Sequence, residues 1–220
     1  MNSMRFAELL CTRLCHDLTG PIGALANGAE FLSEEGFEMQ GQAVDLIATS
    51  AAQAVARLQF YRRAYGRINE SGEASLSELK KLAEDYLVGG KTTLDWPDTH
   101  TDSSGISISY KMGRLLINLV LICSGALMRG GTISVRLAAN NSMKEIQVSC
   151  VGSSVKWDKA LEDVLKKNVD PASLTPKTIQ AELTRGLAEE LKTELSWVVD
   201  EMSVAFNVRQ PVQMLETNVI

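Results

Sequence analysis

Near its start the chain reads Leu10-Cys11-Thr12-Arg13-Leu14-Cys15-His16-Asp17-Leu18-Thr19-Gly20-Pro21-Ile22. Apolar residues recur here at intervals of three and four, the pattern of one face of an α-helix. They are Phe6, Leu10, Leu14, Leu18, Ile22, Leu25 and Leu32. At about 100° per residue, His16 lies about 160° from both Leu14 and Leu18, so its imidazole points away from this apolar stripe. An outward-facing histidine is either an ordinary surface residue or a reactive group.

Pro21 lies inside this predicted helix, which we expect to end at about Ser33. Proline has no amide proton, so it cannot donate to the carbonyl oxygen of Asp17. We therefore expect a kink one turn after His16 and a carbonyl at Asp17 that is free of its helical hydrogen bond.

Three glycines also fall within the helix, although each lowers helix stability by about 1 kcal/mol relative to alanine. Gly20 and Gly23 lie on the same side of the helix as His16, and we interpret them as clearing space for another surface to reach the imidazole. Gly28 is interpreted instead as a position of close helix packing.

A second helix is predicted from about Met39 to Tyr65, after a turn at Glu34-Glu35-Gly36. Its predicted core face consists of Val44, Ile47, Ala51, Val55, Leu58 and Tyr65. The two helices form an antiparallel hairpin whose apolar faces one partner cannot fully bury. Two hairpins related by twofold symmetry would bury them in a four-helix bundle. Alternatively, the hairpin folds back onto the rest of its own chain.

Residues 67–75 are polar and rich in turn formers, which predicts a domain boundary. Residues 1–68 then form the helical hairpin, and residues 75–212 form a second domain. Helices are predicted there at about 76–87, 111–128, 157–167 and 176–192. Strands are predicted at about 92–96, 132–138, 145–151, 195–199 and 204–208. Helices on one face of a mixed or antiparallel sheet make the fold class α+β.

The composition excludes several classes of protein. A net charge of −5 and a pI near 5.2 argue against a nucleic-acid binder. The longest apolar run, Leu115 to Leu127, is too short to cross a membrane, and the N-terminus does not resemble a signal peptide, so we expect a cytoplasmic protein. Because Cys11 and Cys15 are not followed by a second cluster of ligands, no metal site is predicted.

The segment from His16 to Ile22 resembles the phosphoacceptor box of sensor histidine kinases, which lies in a similar helical hairpin. Further on, the run from Asn118 to Cys123 and the run Gly130-Gly131-Thr132-Ile133 resemble the N-box helix and the following strand of the kinase ATP-binding domain. This resemblance implies that the second domain is a degenerate ATPase-like α/β sandwich.

The departures from the kinase pattern concern the groups that hold ATP. The asparagine that helps bind Mg-ATP is replaced by Ile122, and the aspartate that reads adenine falls at Cys150. Only Gly152 remains of the first glycine-rich box, and the second is reduced to the stretch around Gly186. A site without these groups cannot orient a triphosphate, so we predict that the protein does not use ATP.

An intact phosphoacceptor helix beside a degenerate ATPase domain resembles the ChpT-type histidine phosphotransferases. The resemblance implies a homodimer that takes a phosphoryl group from the receiver domain of a hybrid histidine kinase and passes it to the receivers of response regulators. It implies no cofactor bound by this chain, since Mg²⁺ would come with the receiver. Two alternatives are an ATP-dependent sensor-type kinase and a non-catalytic dimeric scaffold that binds receivers.

The resemblance places the chemistry on His16, whose Nε2 would attack phosphorus, and on Asp17, which would orient the imidazole or take its proton. Neighbouring positions on the same helix, and one that lies level with His16 on the second helix, are candidates for receiver docking. They are Thr12, Arg13, Thr19, Gly20, Gly23 and Arg57.

Overall fold

The computed structural model of the chain describes residues 3–33, 40–66, 72–98, 105–140, 142–167 and 169–211. The helices in these ranges are α1 (Ser3–Ser33), α2 (Gln40–Tyr65), α3 (Leu76–Leu87), α4 (Tyr110–Ala126), α5 (Lys159–Lys166) and α6 (Ile179–Glu190). The strands are β1 (Glu73–Ala74), β2 (Thr92–Asp95), β3 (Ile108–Ser109), β4 (Gly131–Ala139), β5 (Met143–Val151), β6 (Glu194–Val199) and β7 (Ser203–Pro211). The predicted turn at 34–36 and most of the predicted boundary at 67–75 lie outside the described residues.

Helices α1 and α2 pack against each other as an antiparallel hairpin. Late in α1, a Cβ atom added to Gly28 would lie 2.8 Å from Cγ1 of Ile47. Earlier in α1, Asp17 contacts Arg57. Contacts that move back along α1 as they move forward along α2 define the antiparallel arrangement. Because the helices approach too closely at Gly28 to admit a side chain, the interpretation of this glycine as a packing position is confirmed.

The main sheet has five strands in the order β2-β4-β5-β7-β6. Strand β2 runs parallel to β4, and the other neighbours are antiparallel, so the sheet is mixed. A separate antiparallel pair joins β1 to β3. Sequence periodicity did not predict this pair, because strands of two residues are too short to show an alternation.

The core lies between the helices and one face of the sheet. Helix α4 is buried on nearly every side, which agrees with its almost continuous apolar sequence. Alternate residues of three strands point into this core, as the two-residue period of a strand requires: Ile133, Val135, Leu137, Ile146, Val148, Cys150, Val204, Phe206 and Val208. The predicted α+β class is confirmed. Within the described ranges, a helix long and apolar enough to cross a membrane is not found.

The predicted core face of α2 is buried only in part within one copy of the chain. Val44, Val55 and Leu58 are each 52% exposed, whereas Phe60 and Tyr61 are 0% and 2% exposed. The reason is that α2 packs against α1 on one side and against α3 and α4 on another. The stripe that contains the first three residues faces none of these helices, so one copy of the chain leaves it open.

The ring of Phe60 joins the hairpin to α3, where it stacks on Tyr86 with ring centroids 4.1 Å apart. Replacing Phe60 by alanine is expected to lower the free energy of unfolding by about 3–5 kcal/mol, because a large buried ring would leave a cavity. Urea denaturation followed by circular dichroism measures this change. The matched control is Gln59→Ala, an exposed neighbour whose effect should stay within about 0.5 kcal/mol. Similar losses from both variants would contradict the packing described.

Candidate functional site

His16 projects from α1 with 86% of its side chain exposed. Its only hydrogen bond to a described residue joins Nδ1 to Oδ1 of Asp17 at 3.0 Å. The other ring nitrogen, Nε2, lies on the opposite edge of the imidazole. A partner molecule can therefore approach Nε2 without displacing a contact made within the described part of the chain.

The hydrogen bond to Asp17 determines which nitrogen of the neutral imidazole carries the proton. A carboxylate only accepts hydrogen bonds, so Nδ1 must be the donor. Nε2 then keeps its lone pair and points outward. This is the protonation state that a nucleophilic histidine requires.

The Asp17 carboxylate is itself held in place by its second oxygen. Oδ2 accepts a hydrogen bond of 2.6 Å from the hydroxyl of Tyr61 on α2. The same oxygen lies 3.7 Å from Nε of Arg13, one turn earlier on α1. Each carboxylate oxygen thus has its own partner, and the side chain is only 22% exposed.

The backbone of Asp17 is also anchored to α2. Helix α1 continues through Pro21, which cannot donate to the carbonyl of Asp17. Nη1 of Arg57 donates to this carbonyl instead, at 2.7 Å. The carbonyl of Asp17 thus lacks its helical hydrogen bond, as predicted, but it accepts one from Arg57 instead. The role of Arg57 in receiver docking stays a prediction.

Tyr61 sits in an aromatic cluster that restrains its ring. It stacks on Tyr65 with centroids 5.4 Å apart and an interplanar angle of 13°, and it meets Tyr86 edge to face at 6.1 Å. Burial raises the pKa of Tyr61 above its usual range, and Tyr86 and Asp17 raise it further. The phenol therefore stays protonated and remains a hydrogen-bond donor to Asp17.

A polar chain links this cluster to the second half of the protein. The hydroxyl of Tyr65 donates to Oε1 of Gln180 at 2.5 Å, and Nε2 of Gln180 donates to Oδ1 of Asn118. Nδ2 of Asn118 donates to the carbonyls of Ala64, at 3.1 Å, and Arg114, at 2.7 Å. The asparagine that resembles the N-box residue is thus fully buried and joins α2, α4 and α6.

Arg13, a predicted docking residue, is turned toward the second half of the chain. Its Nη1 donates to the carbonyl of Pro176 at 3.3 Å, and only 18% of its side chain is exposed. Near the start of α1, the guanidinium of Arg5 makes similar hydrogen bonds to the carbonyls of Pro171, Ala172 and Leu174. These two arginines hold α1 against the segment before α6.

The remaining predicted docking residues surround His16 on an open surface. Thr12 and Thr19 are exposed, and each hydroxyl bonds to the backbone carbonyl four residues earlier. A Cβ added to Gly20 or Gly23 would meet nothing within 4 Å. The structure therefore places an exposed imidazole beside a surface without bulky side chains, as predicted from the spacing.

A cavity of about 370 Å³ lies at the C-terminal end of α4, and Ile122 lines it. Ile122 and Trp157 contribute apolar walls, and Arg13, Lys156 and Lys177 contribute cations. Cys150 is completely buried. Among the described residues, no group of three or more histidine, cysteine, aspartate or glutamate side chains could hold a metal ion.

Tyr61 is the site residue that the sequence analysis missed. Its hydroxyl contacts Asp17 across two helices, a relation that periodicity within one helix does not reveal. A signal was nevertheless present. Tyr61 follows Arg57 by four residues and therefore shares its face of α2, and Arg57 had already been placed level with His16.

Comparison with protein families supplies the assignment. Residues 76–203, more than half of the chain, match the family model described as the histidine phosphotransferase C-terminal domain. The chain belongs to the histidine phosphotransferase family. The resemblance to such phosphotransferases noted from the sequence is thereby confirmed.

Two relatives of this histidine phosphotransferase agree with the assignment. Protein phosphotransferase ChpT of Brucella abortus (strain 2308) is 28% identical over 197 residues, which cover 89% of this chain and 91% of that protein. A bacterial phosphotransferase solved at 1.7 Å is 27% identical, with a TM-score of 0.78, and the match covers 94% of this chain and 97% of that one. Since each match covers about nine-tenths of this histidine phosphotransferase, each extends beyond residues 76–203 into the helical hairpin.

Proposed function

We propose that His16 is the phosphoryl carrier of a phosphorelay. It takes the group from an aspartate in the receiver domain of a hybrid histidine kinase and passes it to the receivers of response regulators. The observation that carries this proposal is the pairing of Nδ1 with Asp17, which leaves Nε2 exposed and with its lone pair. Membership of a phosphotransferase family supports it.

In the loading step, the Nε2 lone pair attacks the phosphorus of the receiver's aspartyl phosphate. The N–P bond forms as the bond between phosphorus and the aspartate oxygen breaks, and the receiver carboxylate leaves with the electron pair. The imidazole gains positive charge, which Asp17 stabilises through the Nδ1–H hydrogen bond. In the unloading step a second receiver carboxylate attacks the same phosphorus, and the imidazole leaves with the electron pair of the N–P bond.

The surface around His16 suits a docked receiver. The bare Gly20 and Gly23 positions allow a second backbone to approach the helix closely, and Thr12 and Thr19 border the same area. We propose that these residues contact the receiver and that Arg13 acts indirectly, through Asp17 and Pro176. The chain contributes no metal ligand in this proposal, because the divalent cation arrives in the acidic pocket of the receiver.

Independence from ATP is part of the proposal. Ile122 and Cys150 occupy the positions where the kinase resemblance places the Mg-ATP ligand and the adenine acceptor. Ile122 lies in an apolar wall of the α4 cavity, and Cys150 is a fully buried residue of strand β5. Neither side chain can coordinate Mg²⁺ or accept a hydrogen bond from an adenine amine as a carboxylate does.

We propose that the exposed apolar stripe of α2 is the interface of a twofold dimer. Ile22 on α1 is 55% exposed, and Val44, Val55 and Leu58 on α2 are each 52% exposed. Apolar side chains in such a row indicate a surface that another protein covers. A second hairpin of the same chain would bury them in a four-helix bundle.

The variant Leu58→Glu is expected to raise the dimer dissociation constant at least about a hundredfold, because each subunit would bury an unpaired carboxylate. Sedimentation velocity over a range of concentrations measures this constant. The control is Gln59→Glu, the adjacent exposed position, which should leave it nearly unchanged. A dimer that persists unaltered in Leu58→Glu would show that this stripe is not the interface.

The function is tested by incubating the protein with a receiver domain that carries a radiolabelled aspartyl phosphate, beside a sample that contains ATP and no receiver. We expect label on this chain that is lost in acid and stable in base, as is typical of phosphohistidine, and only in the sample with receiver. Labelling from ATP alone would identify a kinase instead. A stable complex with the receiver that shows no transfer would identify a scaffold.

A further inference from the structure

We propose that Tyr61 is a positioning residue for phosphoryl transfer, because it holds the Asp17 carboxylate in the orientation that fixes the proton of His16 on Nδ1. This inference rests on the proposed role of His16. Its test reads the protonation of the imidazole directly, so its outcome is separate from whether phosphoryl transfer takes place.

The geometry assigns one task to each oxygen of Asp17. Oδ1 faces Nδ1 of His16 at 3.0 Å, and Oδ2 receives the Tyr61 hydroxyl at 2.6 Å. Rotation of a carboxylate about its terminal bond is broad and weakly restrained by torsion alone. The hydrogen bond from Tyr61 supplies the missing restraint, and a bond from a neutral donor to a charged acceptor is among the stronger kinds.

Tyr61 can act as an anchor because its own ring is restrained. The stack on Tyr65 and the edge contact with Tyr86 enclose it, and 2% of the residue is exposed. Arg57, four residues earlier, holds the backbone carbonyl of Asp17 from the same face of α2. Helix α2 thus donates hydrogen bonds to both the side-chain carboxylate and the backbone carbonyl of Asp17.

The same hydrogen bond suits a carrier that must both accept and release the group. A phosphorylated imidazole leaves readily only while Nδ1 keeps its proton. The Tyr61 hydroxyl holds the Asp17 carboxylate so that Oδ1 keeps its hydrogen bond to Nδ1 of His16. The ring keeps its proton on Nδ1, and Asp17 orients it. This state favours attack by Nε2 in the loading step and departure of the imidazole in the unloading step.

The test uses Tyr61→Phe, which removes one oxygen atom and preserves the ring. Tyr65→Phe is the matched control, since Tyr65 belongs to the same stack but its hydroxyl bonds to the neutral amide of Gln180. Two quantities are measured in full-length protein. They are the ¹⁵N chemical shifts of the His16 ring nitrogens above the pH at which the ring is charged, and the rate of phosphoryl transfer from a phosphorylated receiver.

In the wild type and in Tyr65→Phe, we expect the shifts of a ring protonated on Nδ1. In Tyr61→Phe, we expect a mixture that includes the Nε2-protonated form, and a transfer rate lower by about tenfold to a hundredfold. Thermal unfolding of both variants monitors the fold. Wild-type ring shifts in a folded Tyr61→Phe would overturn the proposal, and so would equal changes of the ring shifts in both variants.

Failure of the carrier role has a different signature. A wild-type protein that takes no label from any receiver would contradict the function proposed for His16. The ring shifts would still report whether Tyr61 controls the proton on Nδ1. Loss of the Nδ1-protonated form in Tyr61→Phe together with an unchanged rate of transfer would overturn the claim that this control serves catalysis.

Discussion

Replacing His16 by alanine is expected to abolish acceptance of the phosphoryl group, with a rate at least about 10³-fold lower than that of the wild type. The reason is that no other nucleophile occupies its position. The hydroxyls of Thr12 and Thr19 are engaged by backbone carbonyls of the preceding turn. Because His16 is exposed and alanine is the best helix former, the variant should fold normally. The rate is measured by following label transferred from a phosphorylated receiver.

The neighbouring Cys15 provides the control for this variant. It is exposed on the same helix and also carries a nucleophilic side chain, but at about 100° per residue it faces a different direction from His16. Cys15→Ser should therefore transfer at close to the wild-type rate. Acid-labile label that persists in His16→Ala would refute the assignment of His16 as the carrier.

The variant Asp17→Asn is expected to slow transfer by about 10² to 10⁴-fold, the range typical of a lost acid–base partner. The structure indicates why the loss should be large although the side chain keeps its shape. The hydroxyl of Tyr61 would donate to the amide oxygen, and the amide NH₂ would then face Nδ1 of His16. Nδ1 would have to accept that hydrogen bond, so the proton would move to Nε2 and block the nucleophile.

Asp45→Asn is the matched control, because it makes the same chemical change at an exposed position of α2 far along the hairpin from His16. It should leave the transfer rate unchanged. The double variant Asp17→Asn with Tyr61→Phe adds a sharper test. Without the tyrosine hydroxyl the amide can rotate so that its oxygen faces Nδ1 of His16. Nδ1 can then keep its proton, and part of the activity should return. An Asp17→Asn variant as fast as the wild type would contradict the role assigned to this carboxylate.

Much of the fold could be predicted because its signals are local. The three-and-four spacing of apolar residues predicted α1 from the N-terminus to Ser33, and the observed helix is Ser3–Ser33. Alternation predicted the strands around Ile133 and Ile146. The pattern was less informative for α2, where an apolar stripe looks the same whether another part of the chain or a second copy covers it.

Part of the site could be predicted for the same reason. The exposure of His16 follows from its angle to Leu14 and Leu18 on one helix, and the released carbonyl of Asp17 follows from Pro21 four residues later. Arg13 shows the limit of such reasoning. Its guanidinium reaches the carbonyl of Pro176, a residue 163 positions away in the chain, and spacing along α1 does not reveal this contact.

The sequence by itself determined that α1 turns His16 away from its apolar stripe, because the angles between residues of one helix depend only on their spacing. Tertiary structure alone decided how Asp17, which orients the imidazole, is held in place. The hydroxyl of Tyr61 and the guanidinium of Arg57 reach Asp17 from a separate helix, at 2.6 and 2.7 Å. Hydrogen bonds are made or lost over a few tenths of an ångström. Such distances are set by how two helices pack, which no spacing within either helix specifies.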